Sequence, residues 1–280
     1  MKLDSATLIN GMPAEHVSIH DRGFQYGDGV FETIAVFDGR PLLWRLHLTR
    51  LQQGCMRLGI TPPPDGTQLQ EEAEGLCAGA RRAVLKLVVT RGESGRGYAP
   101  GHNTRPTRVL ERLPWPDYPA ANARDGVDVC VCRMRMSRNP ALAGLKHLNR
   151  LEQVLARSEW RNEYAEGLML DEDCNVIEAT ASNVFLVVRG ALLTPDLSRS
   201  GIAGVMRATV LDHAKALSIP YQIGPVSRDT LDDADEIFLT NSLIGIWPVR
   251  RVETRSYTLG PLTRRLQKGI SESHCFDKTG

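Results

Sequence analysis

Apolar residues along this chain fall into short strand-like runs and into helical spacings, and the switches between them mark its elements. The runs Gly29-Val30-Phe31-Glu32-Thr33-Ile34-Ala35-Val36-Phe37 and Ala83-Val84-Leu85-Lys86-Leu87-Val88-Val89-Thr90 predict strands over 29–37 and 83–90. Between them, Leu46, Leu48, Leu51, Cys55 and Leu58 recur at helical spacing and predict a helix over 44–58. A second helix is predicted over 68–80, after the break Pro62-Pro63-Pro64-Asp65-Gly66. Further on, strands are expected at 126–135, 167–171, 184–189 and 236–240, and helices at 149–164, about 205–217 and 260–268. Val188-Arg189-Gly190-Ala191 and Asp171-Glu172-Asp173-Cys174-Asn175 read as hairpin turns and favour antiparallel pairing. The proline-rich stretch 113–123 is expected to form no regular element and to link two domains, 1–112 and 124–280. The tail 271–280 has no apolar face and is expected to lack regular structure. The pattern as a whole is α+β, with mixed sheets.

Composition narrows the function classes. The chain has 280 residues, 42% of them hydrophobic, enough for two modest domains with their own cores. A net charge of +1, with acids and bases interspersed, offers no basic field for nucleic acid and no basic amphipathic helix for a membrane surface. No apolar run reaches the roughly 20 residues of a membrane span, and the first residues lack the apolar core of a signal peptide. A cytoplasmic protein is expected. The six cysteines form no CxxC pair; Cys130 and Cys132 share one face of a strand and read as reduced packing residues. The histidines show no metal spacing, so no metal is expected.

Five features could carry chemistry. Lys146 follows the uncharged approach Ala141-Leu142-Ala143-Gly144-Leu145 and precedes a helix on which Leu148, Leu151, Leu155 and Ser158 share a face. Asn149 with Glu152 reads as an N-cap pair. A desolvated lysine there is a Schiff-base nucleophile; a solvated charge is the alternative. Ser200-Gly201-Ile202-Ala203-Gly204-Val205-Met206-Arg207 puts two glycines before a helix, which suits a phosphate or an ordinary capped loop. Glu178 lies between Ile177 and Ala179, where a buried carboxylate needs an arginine or a cationic heterocycle. Phe238-Leu239-Thr240-Asn241-Ser242-Leu243 ends a strand in small polar residues, at a ligand edge or a plain turn. Thr90-Arg91-Gly92-Glu93-Ser94-Gly95-Arg96-Gly97-Tyr98 is a loop able to grip a carboxylate, or a solvated turn. A lysine, a carboxylate and a phosphate cradle together are what pyridoxal 5'-phosphate requires of a protein.

The ordered runs Asp21-Arg22-Gly23, Tyr26-Gly27-Asp28-Gly29-Val30-Phe31-Glu32, His47-Leu48-Thr49-Arg50-Leu51, Thr90-Arg91-Gly92, Ile177-Glu178-Ala179, Asn183-Val184-Phe185 and Gly201-Ile202-Ala203-Gly204 resemble the fold-type IV pyridoxal-phosphate enzymes over essentially the whole chain. That family includes branched-chain and D-amino-acid aminotransferases and aminodeoxychorismate lyases. The resemblance implies a small N-terminal α/β domain and a larger C-terminal domain with a barrel-like sheet. It implies Lys146 as the Schiff-base residue, Glu178 on the pyridine nitrogen, and Arg50, the Val205 and Met206 amides and the Ser242 hydroxyl on the phosphate. A homodimer acting on a small-molecule substrate is implied as well. The run from Lys146 to Leu155, with Arg96-Gly97-Tyr98, is most similar to the lyase subgroup. This implies conversion of 4-amino-4-deoxychorismate to 4-aminobenzoate and pyruvate, a step toward folate, with Arg96, Tyr98 and Arg150 on the substrate. A D-amino-acid or branched-chain aminotransferase is the alternative.

Overall fold

The computed structural model describes residues 6–63, 66–101 and 104–274. The chain divides into two compact units, Met1–Asp117 with Leu145–Asn149, and Tyr118–Gly144 with Arg150–Gly280.

The first unit contains β1 (Ala6–Ile9), β2 (Met12–Pro13), α1 (Arg22–Tyr26), β3 (Gly29–Phe37), β4 (Arg40–Pro41), α2 (Trp44–Leu58), α3 (Gly66–Cys77), β5 (Arg82–Thr90) and β6 (Thr107–Pro114). Its six-stranded sheet runs β2-β1-β6-β5-β3-β4, antiparallel throughout. Strand alternation sends Val30, Ile34 and Val36 to the core, where they meet Leu51 and Cys55 of α2. β3 and α2 have the limits that the periodicity predicts, whereas α3 ends three residues before the predicted position 80. Pro64 and Asp65 of the predicted break lie outside the described residues.

The second unit contains α4 (Ala121–Asp125), β7 (Val127–Met136), α5 (Leu151–Arg157), β8 (Glu166–Asp171), β9 (Val176–Ala179), β10 (Asn183–Val188), β11 (Ala191–Pro195), α6 (Val205–Ala216), β12 (Tyr221–Gly224), α7 (Arg228–Asp232), β13 (Glu236–Asn241), β14 (Gly245–Val252), β15 (Arg255–Ser256) and α8 (Pro261–His274). Its nine-stranded sheet has the order β12-β11-β10-β13-β14-β7-β8-β9, with β15 on β14. The β11/β12, β14/β7 and β7/β8 pairs are parallel, so the sheet is mixed. Both hairpins read from the sequence form. Arg189 (φ 52°) and Gly190 (φ 80°) take the left-handed turn between β10 and β11, and Cys174 (φ 63°) turns β8 into β9.

The connection from β9 to β10 dictates curvature. In the sheet order those strands stand five positions apart, about 24 Å if the sheet were flat. Residues 180–182 alone join them, and three linking residues reach roughly 14 Å at most. The sheet therefore curls until its β9 edge comes back toward β10, and Ala179 N donates to Ser182 O (2.6 Å) across the closure.

Several local expectations are corrected. The helix predicted over 149–164 is only α5. Its N-cap is Arg150, with no side-chain cap. Asn149 Nδ2 donates instead to Gly27 O (3.0 Å), and Glu152 Oε1 accepts from Ser137 N (3.1 Å). The apolar face of α5 is turned outward: Leu151, Val154 and Leu155 are exposed, while Gln153 and Ala156 are buried. Within 113–123, β6 extends through Pro114 and α4 begins at Ala121, so the irregular part is shorter than expected. The tail is helical through His274 in α8; residues 275–280, Cys275 among them, lie outside the described set. No described helix is long and apolar enough to cross a membrane.

Candidate active site

In the first unit, Leu145–Asn149 runs beside β3. Phe31 N donates to Lys146 O (2.9 Å), Leu148 N donates to Gly29 O (3.0 Å), and Val30 pairs with His147. This pairing fixes the lysine backbone. The side chain is half-buried, with Nζ 4.2 Å from the centre of the Phe31 ring, a contact that supports a cation on an aromatic face.

Glu32 sits on the buried face of β3 among apolar neighbours and is 1% exposed. Helix α2 brings two partners to it, one turn apart. His47 Nδ1 lies 2.6 Å from Oε2; Arg50 Nε donates to Oε1 (2.8 Å), and Arg50 Nη2 reaches Oε2. Burial raises the Glu32 pKa, but Arg50 and His47 outweigh it and bring it down to about 2. Burial pulls the His47 imidazole below its usual range against the pull of Glu32, with Arg50 and Lys146 adding to the depression. Arg50 and Lys146 thus share one electrostatic neighbourhood. Glu32 had no role in the sequence reading. Its signal was there: a carboxylate in register with Val30 and Ile34, and an α2 face carrying a histidine and an arginine three residues apart.

The loop after β5 differs from both of its sequence readings at Arg91. This side chain is neither solvated nor available to a substrate. It holds Asp28 through Nε (2.7 Å) and donates to Leu58 O and Gly59 O (2.7 Å each) at the end of α2. Arg96 and Tyr98 lie farther along and are exposed, with Tyr98 edge-on to Tyr26 at 5.5 Å.

In the second unit, Glu178 lies in β9, one residue before its end, and is 3% exposed. Its Oε2 accepts from Ile202 N (2.8 Å) and from Asn183 Nδ2 (3.4 Å), and Asn183 Nδ2 also donates to Ile202 O (2.9 Å). The glycine loop is therefore docked on the carboxylate. Gly144 N donates to Gly201 O (2.9 Å), and Ala203 N to Gly144 O (3.1 Å). Gly201 has φ +84°, and a Cβ there would lie 2.8 Å from Leu197 Cδ2 and 2.9 Å from Ile177 Cγ2, so only glycine fits. At Gly204 a Cβ would fall 2.0 Å from Asn183 Oδ1. Gly204 caps α6 without a side-chain hydrogen bond, and the Val205 and Met206 amides open the helix. Arg207 ties this start to β11 through Thr194 Oγ1 (3.2 Å) and Pro195 O (3.0 Å).

Ser242 occupies the β13–β14 turn. Asn241 Oδ1 accepts from Leu243 N (2.8 Å) and Ile244 N (3.0 Å) there, and its Nδ2 donates to Ala181 O (3.0 Å). This places the Ser242 turn against the 180–182 turn. That second turn rests on Glu166, which accepts from Ala181 N (3.0 Å) and from the hydroxyls of Thr180 and Ser182. Burial pushes the Glu166 carboxyl above its usual range, and these donors offset part of the shift. Arg150 is half-buried; burial lowers its pKa, and the charges of Glu178 and Glu152 pull it back up. Asn183, Glu166 and Asn241 were missed in the sequence, because their roles come from contacts between distant segments.

The donor sets suit a phosphorylated aldehyde with a ring nitrogen. A lysine and an oriented arginine stand in one unit. The other holds a buried carboxylate beside a glycine loop too tight for a Cβ, followed by an uncapped helix start.

Residues 29–252 match the family described as amino-transferase class IV. The aminodeoxychorismate lyase of Vibrio harveyi is 36% identical over 94% of this chain and 98% of its own length. The crystal structure of 4-amino-4-deoxychorismate lyase from Pseudomonas aeruginosa superposes with a TM-score of 0.91 at 49% identity, covering 95% of this chain and 98% of that one. The branched-chain amino acid aminotransferase from Escherichia coli gives a TM-score of 0.84 at 26% identity, over 100% and 98% of the two chains. The matched span 29–252 includes Lys146, Glu178 and the glycine loop, and the chain belongs to the amino-transferase class IV family.

Proposed function

We propose that this protein is a pyridoxal-phosphate-dependent lyase that converts 4-amino-4-deoxychorismate to 4-aminobenzoate and pyruvate, on the path to folate. The reading is supported in each unit by itself: Lys146 is set over Phe31 in the first, and in the second Glu178 is buried, with one oxygen taken by the Ile202 amide. Likeness to the two lyases supports the substrate. The domains expected from the sequence, 1–112 and 124–280 about a linker, are kept as part of this proposal.

Bound pyridoxal phosphate supplies an electron sink at the amine-bearing carbon of the substrate. Lys146 is the residue that would hold the cofactor through its aldehyde. Its amine, once free, would take the proton from the amine-bearing carbon. As the enolpyruvyl ether leaves the ring, Nζ returns a proton to its methylene carbon, giving pyruvate. Glu178 keeps the ring nitrogen protonated. Arg50, the Val205 and Met206 amides and the Ser242 hydroxyl hold the phosphate, with Glu32 fixing the direction of Arg50. Arg96, Tyr98 and Arg150 orient a substrate that carries two carboxylates, for which arginine forks are suited.

The working unit is a homodimer in the cytoplasm. The exposed apolar face of α5 supports the second copy, and the buried free thiols of Cys55, Cys77 and Cys132 support a reducing compartment.

The test compares wild type with Lys146→Ala. Wild type forms 4-aminobenzoate and is trapped by borohydride with loss of its visible band. Lys146→Ala takes up the cofactor without a borohydride-stable adduct and forms no 4-aminobenzoate. Normal turnover by Lys146→Ala would overturn the mechanism. Amine transfer from D-alanine or a branched-chain amino acid to 2-oxoglutarate, without 4-aminobenzoate, would replace the lyase by the aminotransferase.

A further inference from the structure

The turn before β3 contains a buried cation that this reaction does not use. Arg22 opens α1 and is 4% exposed. Its Nε donates to Asp28 Oδ2 (2.8 Å), and its guanidinium lies 4.8 Å from the Tyr26 ring centre. The remaining donors leave the turn: Nη1 donates to Ser94 Oγ (3.1 Å) and Gly97 O (3.0 Å), and Nη2 to Tyr98 O (3.0 Å). One planar fork therefore holds three residues of the loop that carries Arg96 and Tyr98.

Apart from the ring contact of Tyr98 with Tyr26, that loop has little else to order it. Residues 95–101 are exposed. A Cβ added at Gly95 or Gly97 would meet nothing within 4 Å, and Gly97 has φ +91°. A glycine-rich segment without packing samples many conformations unless its backbone is tied. Arg22, by contrast, is fixed on every side. Asp28, its ion partner, is gripped from the other side by Arg91. Arg22 N donates to Gly92 O (2.9 Å). Asp21 caps α1 through Gly23 N (2.7 Å) and accepts from Thr90 Oγ1 (2.9 Å). At the far end of the turn Gly27 O accepts from Asn149 Nδ2, three residues after Lys146. The 21–28 turn thus connects the lysine segment with the loop.

We propose that Arg22 is a positioning residue for substrate selection, which fixes the backbone of residues 94–98 so that Arg96 and Tyr98 are presented to a substrate carboxylate. Arg22 acts through Arg96 and touches neither substrate nor cofactor. The inference rests on the assignment of Arg96 and Tyr98 to substrate recognition. Lysine cannot replace it, because a point charge on a flexible stem cannot meet three acceptors set for a rigid fork.

The experiment uses the cofactor-loaded protein with Arg22→Lys, Arg96→Ala and the double variant. Arg22→Lys is expected to raise KM for 4-amino-4-deoxychorismate about tenfold with kcat changed less than about threefold, and to leave the visible cofactor band in place. In the Arg96→Ala background the same change should add nothing to KM. Without substrate, trypsin should cut the Arg96–Gly97 bond about tenfold faster in Arg22→Lys than in wild type. If Arg22→Lys fails to fold, Ser94→Ala removes one tie from the loop side and should shift KM and cleavage in the same direction. A lower melting temperature with unchanged KM and unchanged cleavage would overturn the proposal, as would full additivity with Arg96→Ala. The cleavage result is independent of the reaction. Should wild type form no 4-aminobenzoate, the lyase reading fails, and the same cycle is read with whichever amino donor the protein accepts.

Discussion

A carboxylate on the buried face of a strand destabilises a fold unless it is paired, and Glu32 has both His47 and Arg50 as partners. Its pKa is depressed from the ordinary 4.5 to about 2. The stability that its ionisation contributes is therefore complete above pH 4.5 and is lost as pH falls from there toward 2. Denaturant unfolding of wild type and Glu32→Gln should differ by roughly 3 kcal/mol at pH 7, with the gap narrowing below pH 4.5. Glu32→Gln should also weaken cofactor phosphate binding, since Arg50 loses its bidentate anchor. A gap independent of pH would show that the glutamate is not ionised in the fold. Lys146 and Glu178 stand out in the sequence because a charge inside an apolar run is locally visible. Glu32, Arg22 and Asn183 do not, since what each holds lies between about 5 and 76 residues away along the chain.

At the scale of elements, β3 and α2 were legible to the residue, β3 as an apolar run of nine residues and α2 because its buried Trp44, His47, Leu51 and Cys55 recur at helical spacing over 15 residues. β1, β2, β4 and β15 run for four residues or fewer, too short for a period to show. α5 fails for another reason. Its spacing of Leu151 and Leu155 is helical, yet that face is exposed, with Leu151 at 75%. Periodicity tells which residues share a face; it does not tell whether the cover is the same chain or another. If a second copy covers it, Leu155→Glu should give a monomer in sedimentation at micromolar concentration where wild type is a dimer. A wild-type monomer, or an unchanged dimer in Leu155→Glu, would remove α5 from the interface.

For the molecule as a whole, the pattern of the sequence conveyed an α+β chain, and the family resemblance implied the barrel-like sheet that the curl of the second unit forms; alternation by itself did not convey that curl. Curvature follows from strand order and the short 180–182 link, and strand order cannot be read from alternation alone. The same closure sets Glu178, Asn183 and the Ser242 turn on one network with Glu166 and Asn241, so the fold and the proposed cofactor chemistry are tied together in the second unit. The lyase reaction is tested most directly by the product ratio from cofactor-loaded protein given 4-amino-4-deoxychorismate and no 2-oxo acid. 4-Aminobenzoate and pyruvate are expected in equal amounts through many turnovers. A reaction that stops after one turnover until a 2-oxo acid is added, with no pyruvate released, would make the protein an aminotransferase instead.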